Sequence, residues 1–281
     1  MKRAASAKRS AWKGGRRAWM RSLRRWMRFL RRWLRFLRRA PRAVQIIAGL
    51  LIVLALWSAA NWIYQVVRKP SELFFPVSGT LFKTPFETWN SYAPIFRRHS
   101  TKAISPELLA ALAQAEGSGN PVARTYWRWS WRMRPFEIYR PASSSVGMYQ
   151  MTDGTFAEAR NYCIHDHTLA QAGAWDDWRS CWFNGLYFRL IPSHAVELTA
   201  AYLDLHVAAA LARHRISMAS AQGKQHLAAV IHLCGAGAGD LYVRRGFRFP
   251  DGEKCGDHDP RIYLARVDAL VSQFRRLAAG E

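Results

Sequence analysis

The sequence predicts a mainly helical outer domain, preceded by one transmembrane helix and an amphipathic N-terminal helix. Three observations carry that reading. The first 42 residues hold 17 Lys and Arg and no acid, within a chain of 281 residues and net charge +23, and the first acidic residue is Glu72. An uncharged run of 25 residues, 43–67, follows and is closed by Arg68 and Lys69. Beyond Ser100 the apolar positions recur at helical spacing and no strand pattern competes. The first 42 residues contribute +17 and the other 239 only +6. The basicity therefore belongs to the tail and does not describe a basic domain surface.

Residues 1–42 form a basic segment that contains three gapless heptads, WMRSLRR, WMRFLRR and WLRFLRR, over 19–39. At about 100° per residue, the Trp, Met/Leu, Ser/Phe and Leu positions fall within an arc of roughly 160°, and the arginines fill the other side. A self-associating coil is one reading, but its flanks would hold only arginine, with no acid to pair across a like dimer. Nucleic acid accepts the charge and leaves the wide apolar face unexplained. An interfacial helix uses both faces, apolar side in the acyl boundary and arginines on anionic headgroups. The expected partner is thus an anionic lipid membrane through residues 1–67, with self-association through the heptads as the alternative and no nucleic acid. Pro41 ends the helix before the apolar run.

Residues 43–67 are long enough, at about 1.5 Å per residue, to cross a hydrocarbon core of about 30 Å. A cleaved signal peptide has a shorter apolar region, roughly 7–15 residues, behind a short basic start. An uncleaved anchor fits better, with Trp57, Trp62 and Tyr64 near its far interface. Basic residues concentrate before the span, which places the N-terminus in the cytoplasm and residues 70–281 outside. In a bacterial envelope this is a single-pass inner-membrane protein with a periplasmic domain.

Residues 68–100, with Pro70, Pro76, Pro85 and Pro94, read as a connector, and residues 101–281 as the outer domain. Ser105 and Pro106 begin a helix through ELLAALAQAE that stops at Gly117. Residues 120–155 read as loops with a short hairpin. Further helices start near Ser193, end at Gly235, and start behind an Asp259 cap. Cys163, Cys181, Cys234 and Cys255 all lie in the outer domain, where oxidation is allowed. Three pairings are open; the local one joins Cys163 to Cys181 and Cys234 to Cys255, and four buried thiols are the alternative. CIHDH (Cys163, His165, His167) has metal-binding residue types at a spacing that matches no standard zinc pattern, so no metal is expected.

Leu108, Leu112 and Glu116 share one helix face. Glu116 is therefore a carboxyl group at the end of an apolar stripe and in the last turn of a helix. Both surroundings favour the protonated acid that a general acid must supply. A solvated helix-end glutamate is the plain alternative.

Glu116 opens EGSGNP (116–121), followed by SSSVGMYQMTDGTF (143–156), HLCGAGAGD (232–240) and RIYLARV (261–267). In that order the four segments resemble the catalytic domain of soluble lytic transglycosylases, the lysozyme-like glycoside hydrolase family 23. The resemblance covers roughly residues 100–270 and implies an α+β lysozyme-like fold. It implies that Glu116 is the catalytic acid and base and that Tyr263 steadies it. Ser118, Gly147, Met148, Tyr149, Gln150, His232 and Gly237 then correspond to substrate-binding positions. Two departures stand out. Gly117 separates Glu116 from Ser118, and Cys234 and Gly235 replace the family's tyrosine and asparagine, so a substrate-facing amide is missing.

The implied reaction cleaves the bond between N-acetylmuramic acid and N-acetylglucosamine in peptidoglycan glycan strands, without water, metal or cofactor, and leaves a 1,6-anhydromuramyl end. Glu137 and Asp153 are the candidates for a second carboxylate, and Asp153 facing Glu116 would make a lysozyme-type hydrolase. An envelope scaffold that binds glycan without cutting it is the alternative from another class. Trp127, Trp129 and Trp131 share one side of an extended WRWSW and could line a sugar groove or face a membrane or partner. Trp175, Trp178 and Trp182 fit core packing or sugar stacking.

A peptide of residues 16–42 is expected to co-sediment with vesicles containing anionic lipid more strongly than with neutral ones. Equal binding to both would remove the headgroup contribution.

Overall fold

The structure is a computed structural model that describes residues 38–280 except 132, 133, 172, 175, 176, 178 and 179, with seven further positions between 25 and 36. Most of the heptad block, and Trp175 and Trp178, lie outside the described residues, as does the Trp182 side chain. The chain divides into two compact units, Met1–Ile63 and Tyr64–Glu281.

Helix α1 (Arg42–Arg68, 27 residues) begins just past a break at Ala40 and Pro41. Pro41 cannot donate a backbone hydrogen bond, and the Gln45 amide reaches back to the Ala40 carbonyl at 2.9 Å. The first unit contains α1 as far as Ile63, and the last five residues of the helix belong to the second.

The second unit is mainly helical. It holds α2 (Pro85–His99), α3 (Pro106–Gly117), α4 (Asp153–Ala159), α5 (Pro192–Arg213), α6 (Ala221–Cys234), α7 (Ala236–Arg244) and α8 (Pro260–Ala279). Two small antiparallel hairpins accompany them, β1 (Trp127–Trp129) with β2 (Tyr139–Pro141), and β3 (Tyr162–His165) with β4 (Thr168–Gln171). Among the described residues two helices are long and apolar enough to cross a membrane. The most apolar stretch of α1 is unburied, whereas two thirds of that of α5 is packed inside.

Helix α3 is the centre of the second unit. The sequence suggests one apolar face, but every residue from Leu108 to Ala113 is fully buried. Helices α2, α5 and α8 pack on it, so no side is left for solvent. Its start is as expected: Ser105 accepts from the Leu108 amide at 3.1 Å ahead of Pro106. Its end differs. The helix runs through Gly117, and the left-handed cap is Ser118, at φ 48°. Gly117 is small for another reason: a Cβ there would lie 2.8 Å from the Met148 Cα and carbonyl oxygen.

The proline-rich connector reading of 68–100 does not describe what the structure shows there. Residues 85–99 are helix α2, which buries Trp89, Tyr92 and Phe96 in the core. Thr84 accepts from the Glu87 amide at 3.3 Å while the Glu87 carboxylate accepts from the Thr84 amide at 2.8 Å, a reciprocal cap that starts the helix. Pro85 sits in the first turn, where prolines are tolerated. Upstream, Lys69 and Glu72 are buried as well. Glu72 accepts from Arg124 at 2.6 Å and from the Trp127 indole at 2.7 Å, with Lys69 Nζ at 3.6 Å. Lys69 also donates to Thr125 and to the Ser143 carbonyl, both at 3.0 Å. Burial lowers the Lys69 pKa and the Glu72 charge opposes that shift. The residue that closes the apolar run is thus part of a buried ion network.

The β3–β4 hairpin runs against the expectation of helices alone. Its two-residue turn is Asp166 and His167, both at positive φ (46° and 61°), the geometry that two-residue hairpin turns require. Disulfides join Cys163 to Cys181 and Cys234 to Cys255, with Cα separations of 5.4 and 5.2 Å.

Gly117→Ala is a test of the packing on Met148. A helical Gly→Ala change ordinarily stabilises by about 1 kcal/mol. Here the added methyl must displace backbone, so a loss of about 1–3 kcal/mol is expected in denaturant unfolding of the full chain. A stabilised variant would show that the contact is slack.

Candidate active site

Four segments distant in sequence meet at the C-terminal end of α3. Glu116 is the penultimate residue of that helix, and its side chain is 20% exposed. Tyr263 lies in the first turn of α8, which Asp259 caps by accepting from the Arg261 amide at 2.8 Å. The Tyr263 hydroxyl donates to Glu116 Oε1 at 2.6 Å, across 147 residues of sequence. Burial, the Glu116 charge and that hydrogen bond together push the Tyr263 pKa well up, so the phenol stays a donor.

His232, in the last turn of α6, brings Nε2 to 3.9 Å from the same carboxylate oxygen. Its ring stands edge-on to Tyr149, with centroids 6.2 Å apart. Burial lowers the His232 pKa; the Glu116 charge and a backbone hydrogen bond at Tyr149 oppose it. The net direction is downward, so the imidazole is mainly neutral at neutral pH.

The second segment is a tight turn at 147–150. Gly147 has φ 77°, and a Cβ there would lie 2.6 Å from the Arg189 carbonyl oxygen, so only glycine fits. Backbone bonds in both directions between Val146 and Met151, at 3.2 and 3.1 Å, close the turn. Met148 is fully buried. Tyr149 is buried too, and its hydroxyl donates to the Leu109 carbonyl at 3.0 Å. Gln150 turns its amide nitrogen inward to the carbonyls of Gly147 (2.9 Å) and Ala123 (3.2 Å). In the third segment the chain leaves α6 through Gly235, at φ 85°, and enters α7. The Cys234–Cys255 disulfide ties this junction to the loop that carries His258.

These groups line a cleft of about 340 Å³. Of the residues expected from sequence, Glu116, Tyr149, Gln150 and His232 line it, and Tyr263 reaches it through Glu116. Ser118 caps α3, Gly147 and Met148 build the turn behind the cleft, and Gly237 is exposed on α7. Asp153 lies in a second hollow of about 200 Å³ and pairs with Arg189 at 2.6 Å. Glu137 lines that same hollow and faces Arg134 at 3.4 Å. Among the described residues, Glu116 is the only carboxylate lining its cleft. None of Trp127, Trp129 and Trp131 lines it. Cys163 is spent in a disulfide, which removes the thiolate from CIHDH. Among the described residues no group of three or more His, Cys, Asp or Glu side chains is placed to hold a metal ion.

Sequence reasoning missed Ser145, Thr152, Thr155, Thr199, Tyr202 and His258, all of which line the cleft. The first three flank the GMYQ turn in a hydroxyl-rich stretch, which is a readable signal for a polar groove. The other three arrive through tertiary packing alone.

No family model and no curated protein matches the chain. Chemically, the cleft offers one carboxyl group held by a phenol donor, a neutral imidazole beside it and a rim of hydroxyls. Such a set can donate and then accept one proton at a single site.

Replacing Glu116 by Gln removes the charge that favours imidazolium. The His232 pKa, followed through its ring protons by NMR, is expected to lie below 6.5 in the full chain and to fall further in Glu116→Gln. A rise would mean the two groups do not face each other.

Proposed function

We propose that the second unit is a lysozyme-like peptidoglycan lytic transglycosylase and that α1 anchors it as a single membrane span. The N-terminus is then cytoplasmic and the cleft periplasmic. The observation that carries the reading is the convergence of all four family-like segments on Glu116, the only carboxylate among the described residues lining that cleft. The resemblance orders those segments along the chain; their meeting at one carboxyl group is independent support.

Glu116 first protonates the glycosidic oxygen as the bond from muramyl C1 breaks, and the N-acetylglucosamine leaves as an alcohol. The resulting carboxylate then takes the proton from the muramyl C6 hydroxyl as that oxygen closes onto C1. The 1,6-anhydro ring forms and Glu116 regains its proton. One carboxyl group serves both steps, unlike the paired carboxylates of ordinary glycosidases. Tyr263 holds the carboxylate in place between them. His232 stands where its imidazole supplies polarity that the glycine at 235 lacks. The pairing of Asp153 with Arg189 in the other hollow favours this route over a water-directing second carboxylate. The unburied apolar stretch of α1, between a basic tail and Lys69, supports the anchor, with the heptads on anionic lipid inside.

The deciding experiment is mass spectrometry of products released from purified peptidoglycan by the full chain in detergent. Anhydromuramyl ends, lost in Glu116→Gln, are expected. Reducing ends would instead indicate hydrolysis, and binding without products a scaffold. Tyr263→Phe removes a hydrogen bond to a charged group and is expected to slow release about 10- to 100-fold.

A further inference from the structure

Beyond the cleft, one face of the second unit is built unlike the rest. The last turn of α1 is fastened to the turn that joins β1 and β2. Gln65 donates to the Phe136 carbonyl at 2.7 Å, and the Tyr64 and Phe136 rings stack with centroids 5.1 Å apart. Tyr64 is among the last residues of the uncharged run. The headgroup zone is roughly 5–8 Å deep per leaflet, about one helical turn. If α1 spans, whatever touches Tyr64 lies in or beside that zone.

The hairpin carries the side chains that such a zone takes. Tyr126 and Trp129 are each about 70% exposed and Trp131 is wholly exposed. Amphipathic aromatics of this kind concentrate at membrane interfaces. The strand register sets Arg128 directly opposite Arg140. Like charges directly opposed across strands are unfavourable, and an anion between them reverses the sign. Arg140 lines the 200 Å³ hollow together with Arg68 and Ser143, and its Nε is buried without a hydrogen-bond partner. Guanidinium forks suit phosphate oxygens.

We infer that the β1–β2 hairpin is a second membrane contact, in which Tyr126, Trp129 and Trp131 enter the headgroup zone and Arg68, Arg128 and Arg140 hold the phosphate of an anionic lipid. The inference rests on the reading of α1 as a span. It assigns the exposed WRWSW tryptophans to the bilayer and not to sugar. Contact at both the span and the hairpin fixes the tilt of the domain, so the cleft works at a set height above the membrane.

The test is hydrogen–deuterium exchange of the full chain in nanodiscs of phosphatidylcholine alone, or with phosphatidylglycerol. Residues 126–141 are expected to exchange roughly fivefold more slowly per engaged arginine with the anionic lipid. Arg140→Gln and, as the exposed alternative, Arg128→Gln are expected to cancel that difference while protection of α6 stays unchanged. Protection within 43–63 reports the span separately. If 43–63 is protected and 126–141 ignores lipid charge, the hairpin proposal fails and the anchor stands. If 43–63 exchanges freely, the anchor reading fails and takes the proposal with it. Equal protection from inorganic phosphate in neutral discs would also overturn it, by making the hollow a plain anion site.

Discussion

At Gly117 the end of α3 lies so close to the backbone of Met148 that no side chain fits between them. Most of the cleft depends on this approach. It brings Glu116 against the turn at 147–150, whose tyrosine anchors to the carbonyl of Leu109 inside the same helix. The turn in turn needs Gly147, because the Arg189 carbonyl occupies the space of its Cβ. From the other side α8 delivers Tyr263 and α6 delivers His232. An acid at the end of a wholly buried helix is positioned by close packing and by a single donor, and neither can shift much without the other. A preorganised carboxyl group of this kind is what proton transfer at one site demands.

A second ionic centre does similar work for the architecture. Glu72 is fully buried, and Arg124, Trp127 and Lys69 converge on it. A buried carboxylate is tolerated only when its charge and lone pairs are met. Meeting them joins the end of α1 to the strand β1 and, through Lys69, to the Ser143 carbonyl just ahead of the second segment of the cleft.

Much of this was readable from the residues. The apolar run and its basic approach follow from composition. The starts of α3 and α8 follow from Ser105–Pro106 and Asp259–Pro260, because caps are local chemistry. Pro85 and Pro94 hid α2: proline content was weighed above the Thr84–Glu87 capping signal. The β3–β4 turn was illegible because Asp166–His167 lacks the glycine that usually marks positive φ. Gly117 was correctly noticed and wrongly explained, since a close approach to Met148 leaves no trace in the local sequence. In the cleft, Glu116, Tyr149, Gln150, His232 and Tyr263 were found in advance. Thr199, Tyr202 and His258 were not, because only tertiary packing brings α5 and the loop behind Cys255 to the site.

The Glu72 network changes how the protein can be dissected. Cutting the chain after its apolar run looks harmless if residues 68–100 are a tether. A fragment beginning at residue 70 lacks Lys69, one of two cations beside a fully buried carboxylate, and lacks the Gln65 and Tyr64 contacts to Phe136. The membrane segment and the catalytic body are therefore not separable modules; the anchor's last turn is a structural part of the body it carries.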